Sequence, residues 1–182
     1  MKLEYYKILV EDWRARLSPL CERIEPAGSV LREKPEPRDL ELVCIPKIVT
    51  KSDLFGDKKI DLLEAWFAEH NDGSLFYFNK NGSRYKKLTL KEQNAKLDLF
   101  IVRPPAQWGV IFAIRTGPEN YSHWFVTSKQ QRGGCPSYLR VKDGHVEHRD
   151  SGKVYSTPEE KDFFDLLGIP YQEPRLRGTG VG

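Results

Sequence analysis

Two apolar segments that each carry acidic residues limit how this chain can fold more than any other feature. Residues 40–45 read LELVCI and residues 96–102 read KLDLFIV. Short, nearly continuous apolar runs of this kind are typical of β-strands buried on both faces. Residues two apart on a strand point to the same face, so Asp39 and Glu41 are expected side by side. Burying two neighbouring negative charges costs several kcal/mol unless a cation compensates them, and the pattern therefore predicts a bound divalent metal.

A third acid, Asp98, interrupts the second apolar segment. A neighbouring strand would bring Asp98 within ligand distance of Asp39 and Glu41, and three carboxylates around Mg²⁺ suit phosphoryl transfer. The alternative is that Asp39 and Glu41 are surface acids on an edge strand and that Asp98 caps a turn. We favour the metal site because unpaired acids rarely interrupt apolar β-segments.

Hydrophobic periodicity and turn residues predict the remaining elements and an α+β fold, with a mixed β-sheet flanked by helices and a small α/β subdomain after it. The boundary is expected at the Thr116-Gly117-Pro118 break, giving domains over residues 1–115 and 116–176 and a tail over 177–182. In the first half, we expect a helix over 6–17, a short helix over 18–23, a turn over 25–29, a helix from Ile60 through Phe67 and a hairpin turning at Asn81-Gly82. In the second half, we expect a helix from Pro104 through Ile111, a helix over 119–131 and a hairpin turning at Asp143-Gly144. A last helix is expected over 157–168, with a Thr157/Glu160 capping box and Gly168 as its C-cap.

Composition excludes several classes of protein. No run of about 18 apolar residues is present to span a bilayer, and the N-terminal residues lack a secretion signal, so we expect a cytoplasmic protein without a membrane partner. Cys21, Cys44 and Cys135 are scattered, which predicts reduced thiols and no zinc cluster. The 29 basic and 26 acidic residues give a net charge of +3, a small bias toward a polyanionic partner.

The pair Gly28-Ser29 precedes the acids by a polar, proline-rich loop. A glycine lets the backbone approach a phosphate closely, and the Ser29 N–H and hydroxyl can donate to its oxygens. Arg32 is near enough in sequence to add positive charge. These residues are expected to bind phosphate.

With G-S, a spacer and D-x-E at this spacing, the chain resembles family X DNA polymerases, within the larger nucleotidyltransferase superfamily. The resemblance continues through KLDLFIVRPPAQWGVIFAIRTGPENY and TPEEKDFFDLLGIPYQEPRLRG, and it covers about residues 17–177 in the order of the family. It implies a nucleotidyltransferase palm over 1–115 and a thumb over 116–176. It also implies a minimal form without the lyase and fingers domains, and hence no deoxyribose-phosphate lyase activity.

The resemblance implies a role for each matched residue. Asp39 and Glu41 would bind two Mg²⁺ ions, with Mn²⁺ as a substitute, and Asp98 would bind the catalytic ion near the primer 3′ hydroxyl. Gly28 and Ser29, with Arg32, would hold the triphosphate. Thr116 and Gly117 would lie beside the sugar of the incoming dNTP. The implied partners are a DNA primer-template and a dNTP, and the protein is expected to be a monomer.

The chain departs from the family pattern before Thr116-Gly117. Family members usually carry an aromatic pair there, and this chain has Ile114-Arg115. The Arg115 guanidinium can stack like a ring and can also donate hydrogen bonds to a 2′ hydroxyl. We therefore expect weak discrimination between deoxyribonucleotides and ribonucleotides. The alternative is that Arg115 turns toward a DNA phosphate while the neighbouring backbone blocks the 2′ hydroxyl.

Basic residues in the second half have two readings. As a bare charge run, Lys129, Arg132, Arg140 and Lys142 are typical of a solvated surface. The thumb resemblance favours contact with duplex DNA instead. Other expectations are that His145 and His148 are surface residues and that the tryptophans at 66, 108 and 124 belong to the core.

Three functions remain open from the sequence. The leading one is template-directed addition of dNMP to a primer 3′ hydroxyl with release of pyrophosphate, as in gap-filling repair. The second is non-templated nucleotidyl transfer to RNA, a protein or a small molecule, because the same motif marks the whole superfamily. The third is a catalytically silent DNA-binding module that retains the palm and thumb.

Overall fold

The computed structural model describes residues 2–53 and 56–178. The helices are α1 (Lys2–Leu17), α2 (Gly28–Leu31), α3 (Leu62–Glu69), α4 (Trp108–Thr116), α5 (Glu119–Val126) and α6 (Glu160–Leu167). The strands are β1 (Cys21–Pro26), β2 (Leu40–Pro46), β3 (Ile48–Asp53), β4 (Gly56–Asp61), β5 (Phe76–Asn81), β6 (Tyr85–Leu90), β7 (Ala95–Ile101), β8 (Leu139–Lys142), β9 (His145–His148) and β10 (Val154–Tyr155). Short 3₁₀ turns lie at Ser18–Leu20, Lys129–Gln131 and Pro174–Leu176.

The chain is α+β and forms two compact units. The first unit comprises the residues up to Pro26 together with Pro35–Ile101, and the second comprises Ala27–Lys34 together with the chain from Val102 onward. The division differs from the expected boundary at residue 115. Helix α4 belongs wholly to the second unit, because its residues Val110 and Ala113 lie in the core of that unit.

The first unit is built on a mixed five-stranded sheet in the order β1-β2-β7-β6-β5. Strands β2 and β7 are parallel, and the other neighbouring pairs are antiparallel. The two acid-bearing segments are therefore adjacent interior strands, which rules out the reading of Asp39 and Glu41 as edge-strand acids. Asp98 lies within β7 and does not cap a turn. A further two-stranded sheet, β3 with β4, was not expected from the sequence.

One face of the five-stranded sheet is covered by α1 and α3. The apolar stripe of α1, which includes Leu9 and Trp13, is buried as expected. The Trp13 ring lies edge-on to Phe76 with centroids 6.3 Å apart, and Phe67 of α3 lies 5.5 Å from the same ring. Since strand residues alternate between faces, Glu41 and Asp98 project from the opposite face.

The second unit packs α4, α5 and α6 with the three-stranded sheet β10-β9-β8 around one apolar core. Tyr121, Phe125, Phe163 and Phe164 are the large rings of that core. The expected hairpin turns at Asp143-Gly144, where both residues have positive φ, of 49° and 81°. Gly168 is the left-handed C-cap of α6, as expected.

Several helix boundaries differ from expectation. The chain after Ser18 makes one 3₁₀ turn and then pairs with β2 as β1, because sheet pairing outweighs the local helix signal of Ser18-Pro19. Helix α4 begins at Trp108 and not at Pro104, since a proline disfavours helical geometry in the residue before it. Helix α5 ends at Val126, where Thr127 becomes extended and its carbonyl oxygen accepts a hydrogen bond from the Cys135 N–H.

The start of α6 also differs in detail. The capping box is formed by Glu159 and Asp162, and not by the expected Thr157 and Glu160. Thr157 is fully buried, and its backbone N–H and hydroxyl both donate to the side-chain oxygen of Gln107. Glu160 is also buried and contributes to the interior of the unit.

The predictions for Arg177 and His145 are contradicted by the structure. Arg177, assigned to the tail, is 4% exposed and its guanidinium lies 2.7 Å from Glu160. His145 is 5% exposed, so the expectation of a surface histidine is wrong there. Cys21, Cys44 and Cys135 are free cysteines in the structure. Within the described residues no helix is both long enough and apolar enough to cross a bilayer. Residues 179–182 of the expected tail lie outside the described chain.

Candidate active site

The predicted carboxylates lie on the two central strands of the first unit. The parallel register pairs Glu41 directly with Asp98 across β2 and β7, and Asp39 immediately precedes β2. Directly paired residues of neighbouring strands share a face, so the two acids project from the same face of the sheet. The sheet thus brings together the D-x-E motif and the third carboxylate, which lie more than fifty residues apart in the sequence.

Asp98 is the most buried of the three acids, and its Oδ1 contacts two neighbouring side chains. It is 7% exposed. The Tyr85 hydroxyl donates to Oδ1 at 2.6 Å, and the Lys87 ammonium lies 3.5 Å from the same oxygen. The Tyr85 ring is stacked on Phe100 with centroids 5.2 Å apart, which fixes the hydroxyl in place. Sequence analysis did not identify Tyr85 or Lys87, although their spacing of two residues on a hairpin strand already places them on one face.

The pKa of Asp39 is affected by the neighbouring acid Asp98. Burial raises the pKa of Asp39, and the negative charge of Asp98 raises it further, whereas Lys87, Lys96 and Arg38 act in the opposite direction. Both main causes disfavour the charged form of the carboxylate. Two acids that repel each other on a partly buried face are stabilised by added positive charge, and this is the electrostatic condition for a cation site.

The donor set fits a hard divalent cation. Asp39, Glu41 and Asp98 supply only carboxylate oxygens, the ligands that Mg²⁺ and Mn²⁺ prefer. In residues 2–53 and 56–178, no three histidine, cysteine or acidic side chains already stand at the spacing of a completed metal site. Asp98 is instead neutralised by Lys87 and hydrogen-bonded by Tyr85. A metal held here would therefore draw the carboxylates together and take over the charge compensation that Lys87 provides.

The glycine-serine pair belongs to the second unit, at the start of α2. Gly28 has a φ of 64°, a left-handed conformation that favours glycine. The Ser29 hydroxyl oxygen is buried and has no hydrogen-bond partner among the described residues. A buried hydroxyl left in this state is unusual, because buried polar atoms are almost always hydrogen-bonded. The Ser29 hydroxyl is thus able to accept or donate a bond to a ligand.

Arg32 links the end of α2 to the end of α4. Its Nη1 donates to the carbonyl oxygens of Thr116 at 3.3 Å and of Gly117 at 2.9 Å. The Thr-Gly motif and the Gly-Ser motif, separated by more than eighty residues, are therefore joined through one guanidinium. The sequence analysis selected all of these residues, but it assigned Arg32 to a phosphate and not to the Thr116-Gly117 backbone.

Thr116 is committed to the interior of the second unit. It is fully buried, and its hydroxyl donates to Glu160 Oε1 at 2.8 Å and accepts from the Arg177 guanidinium. Any contact from Thr116 to a nucleotide would have to come from its backbone. Gly117 packs closely as well, since a β-carbon there would lie 3.0 Å from the Ser122 hydroxyl. Arg115, one residue before the motif, is exposed.

The basic residues expected to contact DNA have different surroundings within the second unit. Lys129 and Arg132 are exposed, on and just after a 3₁₀ turn. Arg140 pairs with Glu147 at 2.5 Å, and the Lys142 ammonium lies 3.9 Å from the same carboxylate. Glu147, which the sequence analysis did not select, thus offsets part of the positive charge of the hairpin.

Comparison of the chain with models of known protein families and with curated proteins found no match.

Proposed function

We propose that this chain is a divalent-metal-dependent nucleotidyltransferase of the family X DNA polymerase type, which adds dNMP to a primer 3′ hydroxyl and releases pyrophosphate. The carrying observation is the carboxylate row, with Glu41 registered against Asp98 on parallel strands and Asp39 electrostatically coupled to Asp98. Oxygen-only donors on a partly buried sheet face suit Mg²⁺ or Mn²⁺ and phosphoryl transfer.

Each residue has a stated part in the proposal. Asp39 and Glu41 would hold both metal ions, and Asp98 would hold the ion nearest the primer. When bound, the metals supply activation of the 3′ hydroxyl and neutralisation of charge on the phosphates. The 3′ hydroxyl would lose its proton to solvent, and its oxygen would bond to the α-phosphorus as the bond to the bridging oxygen breaks, with pyrophosphate leaving with that electron pair. Tyr85 would keep Asp98 in position through its bond to Oδ1.

The second unit would contribute nucleotide and DNA contacts. Support for a phosphate contact comes from the Ser29 hydroxyl, which is buried without a described partner. Arg32 would act indirectly, by holding the Thr116-Gly117 backbone, and Arg115 would face the sugar. Lys129 and Arg132 are the exposed basic residues best suited to DNA phosphates.

A primer-extension assay tests the proposal. Gapped, primed and single-stranded DNA are incubated with each dNTP and rNTP in Mg²⁺, Mn²⁺ or EDTA. We expect metal-dependent addition directed by the template base. Asp39→Asn and Asp98→Asn should each lower the rate at least about a thousandfold, since a metal ligand acts on the transition state.

The asparagine variants are chosen to fold. In Asp98→Asn the amide oxygen can still accept the Tyr85 hydrogen bond, and either substitution removes the repulsion between the two acids. Asp150→Asn, at an exposed acid of the second unit, is the matched control and should retain the wild-type rate. Near wild-type incorporation by folded Asp98→Asn would contradict the proposal. Metal-dependent addition that ignores the template base would instead favour a non-templated transferase.

A further inference from the structure

We propose that Lys87 is a resident counter-cation of the acidic site, which neutralises Asp98 in the metal-free protein and is displaced when a divalent cation binds. The inference rests on the proposed metal site. It adds a built-in competitor whose removal should change metal affinity in a defined direction.

The strand register places Lys87 at the site. Lys87 lies directly opposite Asp98 across the antiparallel pair β6/β7, and Asp98 in turn lies opposite Glu41 across β7/β2. The three residues therefore form one row across three neighbouring strands, with the positive charge beside the two negative ones. A lysine in this row compensates the acids without any ligand.

The contact between Lys87 and Asp98 is loose. The ammonium lies 3.5 Å from Oδ1, well beyond the 2.7–2.9 Å typical of a charge-assisted hydrogen bond. The Lys87 side chain is 34% exposed, whereas that of Asp98 is 10% exposed. The ammonium can therefore return to water at little cost, while the carboxylate stays in place.

Lys86, the preceding residue of β6, is by comparison a lysine held firmly in place. Lys86 points to the opposite face and is 1% exposed. Its ammonium lies 2.8 Å from Glu64 and donates to Asn81 at 2.6 Å, and it also lies over the rings of Phe67 and Phe78. Lys86 is held by several contacts at once, whereas the contact between Lys87 and Asp98 is long.

Tyr85 and Lys87 both contact the Asp98 carboxylate, and their contacts differ in charge. Both contact the same oxygen, Oδ1. The short bond from Tyr85 is neutral and can remain when a cation approaches Oδ2. The Lys87 ammonium carries the same sign of charge as the metal, so the two compete for the carboxylate.

The test is a titration of the full chain with Mn²⁺ alone, in which electron paramagnetic resonance measures the concentration of free Mn²⁺. Lys87→Met should bind Mn²⁺ roughly fivefold more tightly than wild type, since an ion pair of this exposure is worth about that factor. In the absence of metal, Lys87→Met should also have a lower Tm, because the acids lose their counter-charge. Lys87→Gln serves as a second variant with a more polar side chain.

Lys91→Met is the matched control. Lys91 is exposed in the turn that follows β6, and removing it takes the same charge away without removing the contact to Asp98. We expect its effect on Mn²⁺ affinity to be less than about twofold. A similar gain in Lys91→Met and Lys87→Met would reduce the effect to net charge and overturn the inference.

The outcomes separate the inference from the proposed function. Asp98→Asn should abolish the site, and Mn²⁺ binding that does not depend on Asp98 overturns both the function and the inference. Asp98-dependent binding whose affinity is unchanged or weaker in both Lys87 variants overturns the inference alone. Tighter binding together with a less stable metal-free protein supports it.

Discussion

Glu147 is a charged side chain whose negative charge is compensated by neighbouring side chains of the same hairpin. The ion pair with Arg140, followed by the hydrogen bond with His145, holds the pKa of Glu147 below its ordinary value of 4.5. Arg140 Nε donates to Oε1 at 2.6 Å, and His145 Nε2 lies 3.3 Å from Oε2. The charged carboxylate therefore stabilises the folded hairpin.

The lowered pKa of Glu147 predicts acid sensitivity. A carboxyl group whose pKa is lower in the folded state stabilises the protein above its ordinary pKa, and this stabilisation is lost as the pH falls through the lower, folded-state pKa. Between about pH 6 and about pH 3, the free energy of unfolding should decline less in Glu147→Gln than in wild type. Urea titrations across this range measure the difference.

Asp143→Asn is the control for this experiment. Asp143 lies in the turn of the same hairpin with a φ of 49°, a conformation that asparagine adopts readily. Its variant should keep the pH dependence of wild type. If Glu147→Gln and wild type lose stability in parallel on acidification, the stabilising role assigned to the Glu147 carboxylate is wrong.

The segment between β10 and α6 lies directly against the backbone of helix α4, where the two helices approach each other. A β-carbon on Gly109 would lie 2.1 Å from the carbonyl oxygen of Glu159 and 2.7 Å from that of Thr157. Both obstacles are backbone atoms, and the Gly109 N–H already donates to Thr157 O at 3.0 Å. Glycine is therefore required for this contact.

Gly109→Ala is accordingly expected to lower the free energy of unfolding by at least about 3 kcal/mol, because the backbone must separate to admit a methyl group. Gly168→Ala is the comparison. Its β-carbon would meet open space, and its φ of 67° costs an alanine only about 1 kcal/mol. Equal losses in the two variants, measured by denaturant unfolding, would mean that the close approach of the helices has no special cost.

The central strands were predictable from sequence, and their neighbours were less so. Acids within apolar segments marked β2 and β7, and Asn81-Gly82 marked the hairpin of β5 and β6, because these signals lie within a few residues. The sequence predicts a helix at the start of strand β1, since Ser18-Pro19 is a local helix signal and the pairing of β1 with β2 is not local. The acids of the proposed site were selected by the same local signal that predicted β2.

Contacts made across strands and between distant segments could not be read in advance. The partners of Asp98 depend on the register of β6 against β7, and a slip of one residue would replace Lys87 with Lys86. The bond from Arg32 to the Gly117 carbonyl depends on packing between α2 and α4. Such interactions depend on three-dimensional distance, which sequence patterns of this length do not encode.

Taken as a whole molecule, the chain has only a small excess of positive charge, +3, for a protein proposed to bind DNA. Affinity for DNA should therefore come from a few phosphate contacts and should fall steeply with salt. If about four phosphates are contacted, raising NaCl from about 50 to about 200 mM weakens binding on the order of a hundredfold. Fluorescence anisotropy with a labelled gapped duplex measures this slope.

Individual basic residues should contribute unequally to that slope. Lys129→Gln removes an exposed charge and should lower the slope by about one unit, whereas Arg140→Gln removes a charge already paired with Glu147 and should lower it less. Binding that is nanomolar and insensitive to salt would contradict the proposed mode of DNA contact. Equal effects of the two variants would show that the Arg140 ion pair opens on the DNA.

The parallel pairing of β2 with β7 also determines when the carboxylate row can exist. Leu40 meets Leu97 in that pair, so closing it loops the chain through β3, β4, α3, β5 and β6. Local elements such as the β5/β6 hairpin form quickly, whereas contacts between residues far apart in sequence form slowly. As the chain leaves the ribosome, Asp39 and Glu41 therefore emerge as solvated acids with no third partner. Glu41 can pair with Asp98, and the proposed site can form, only after β7 has been synthesised and has paired with β2 and β6.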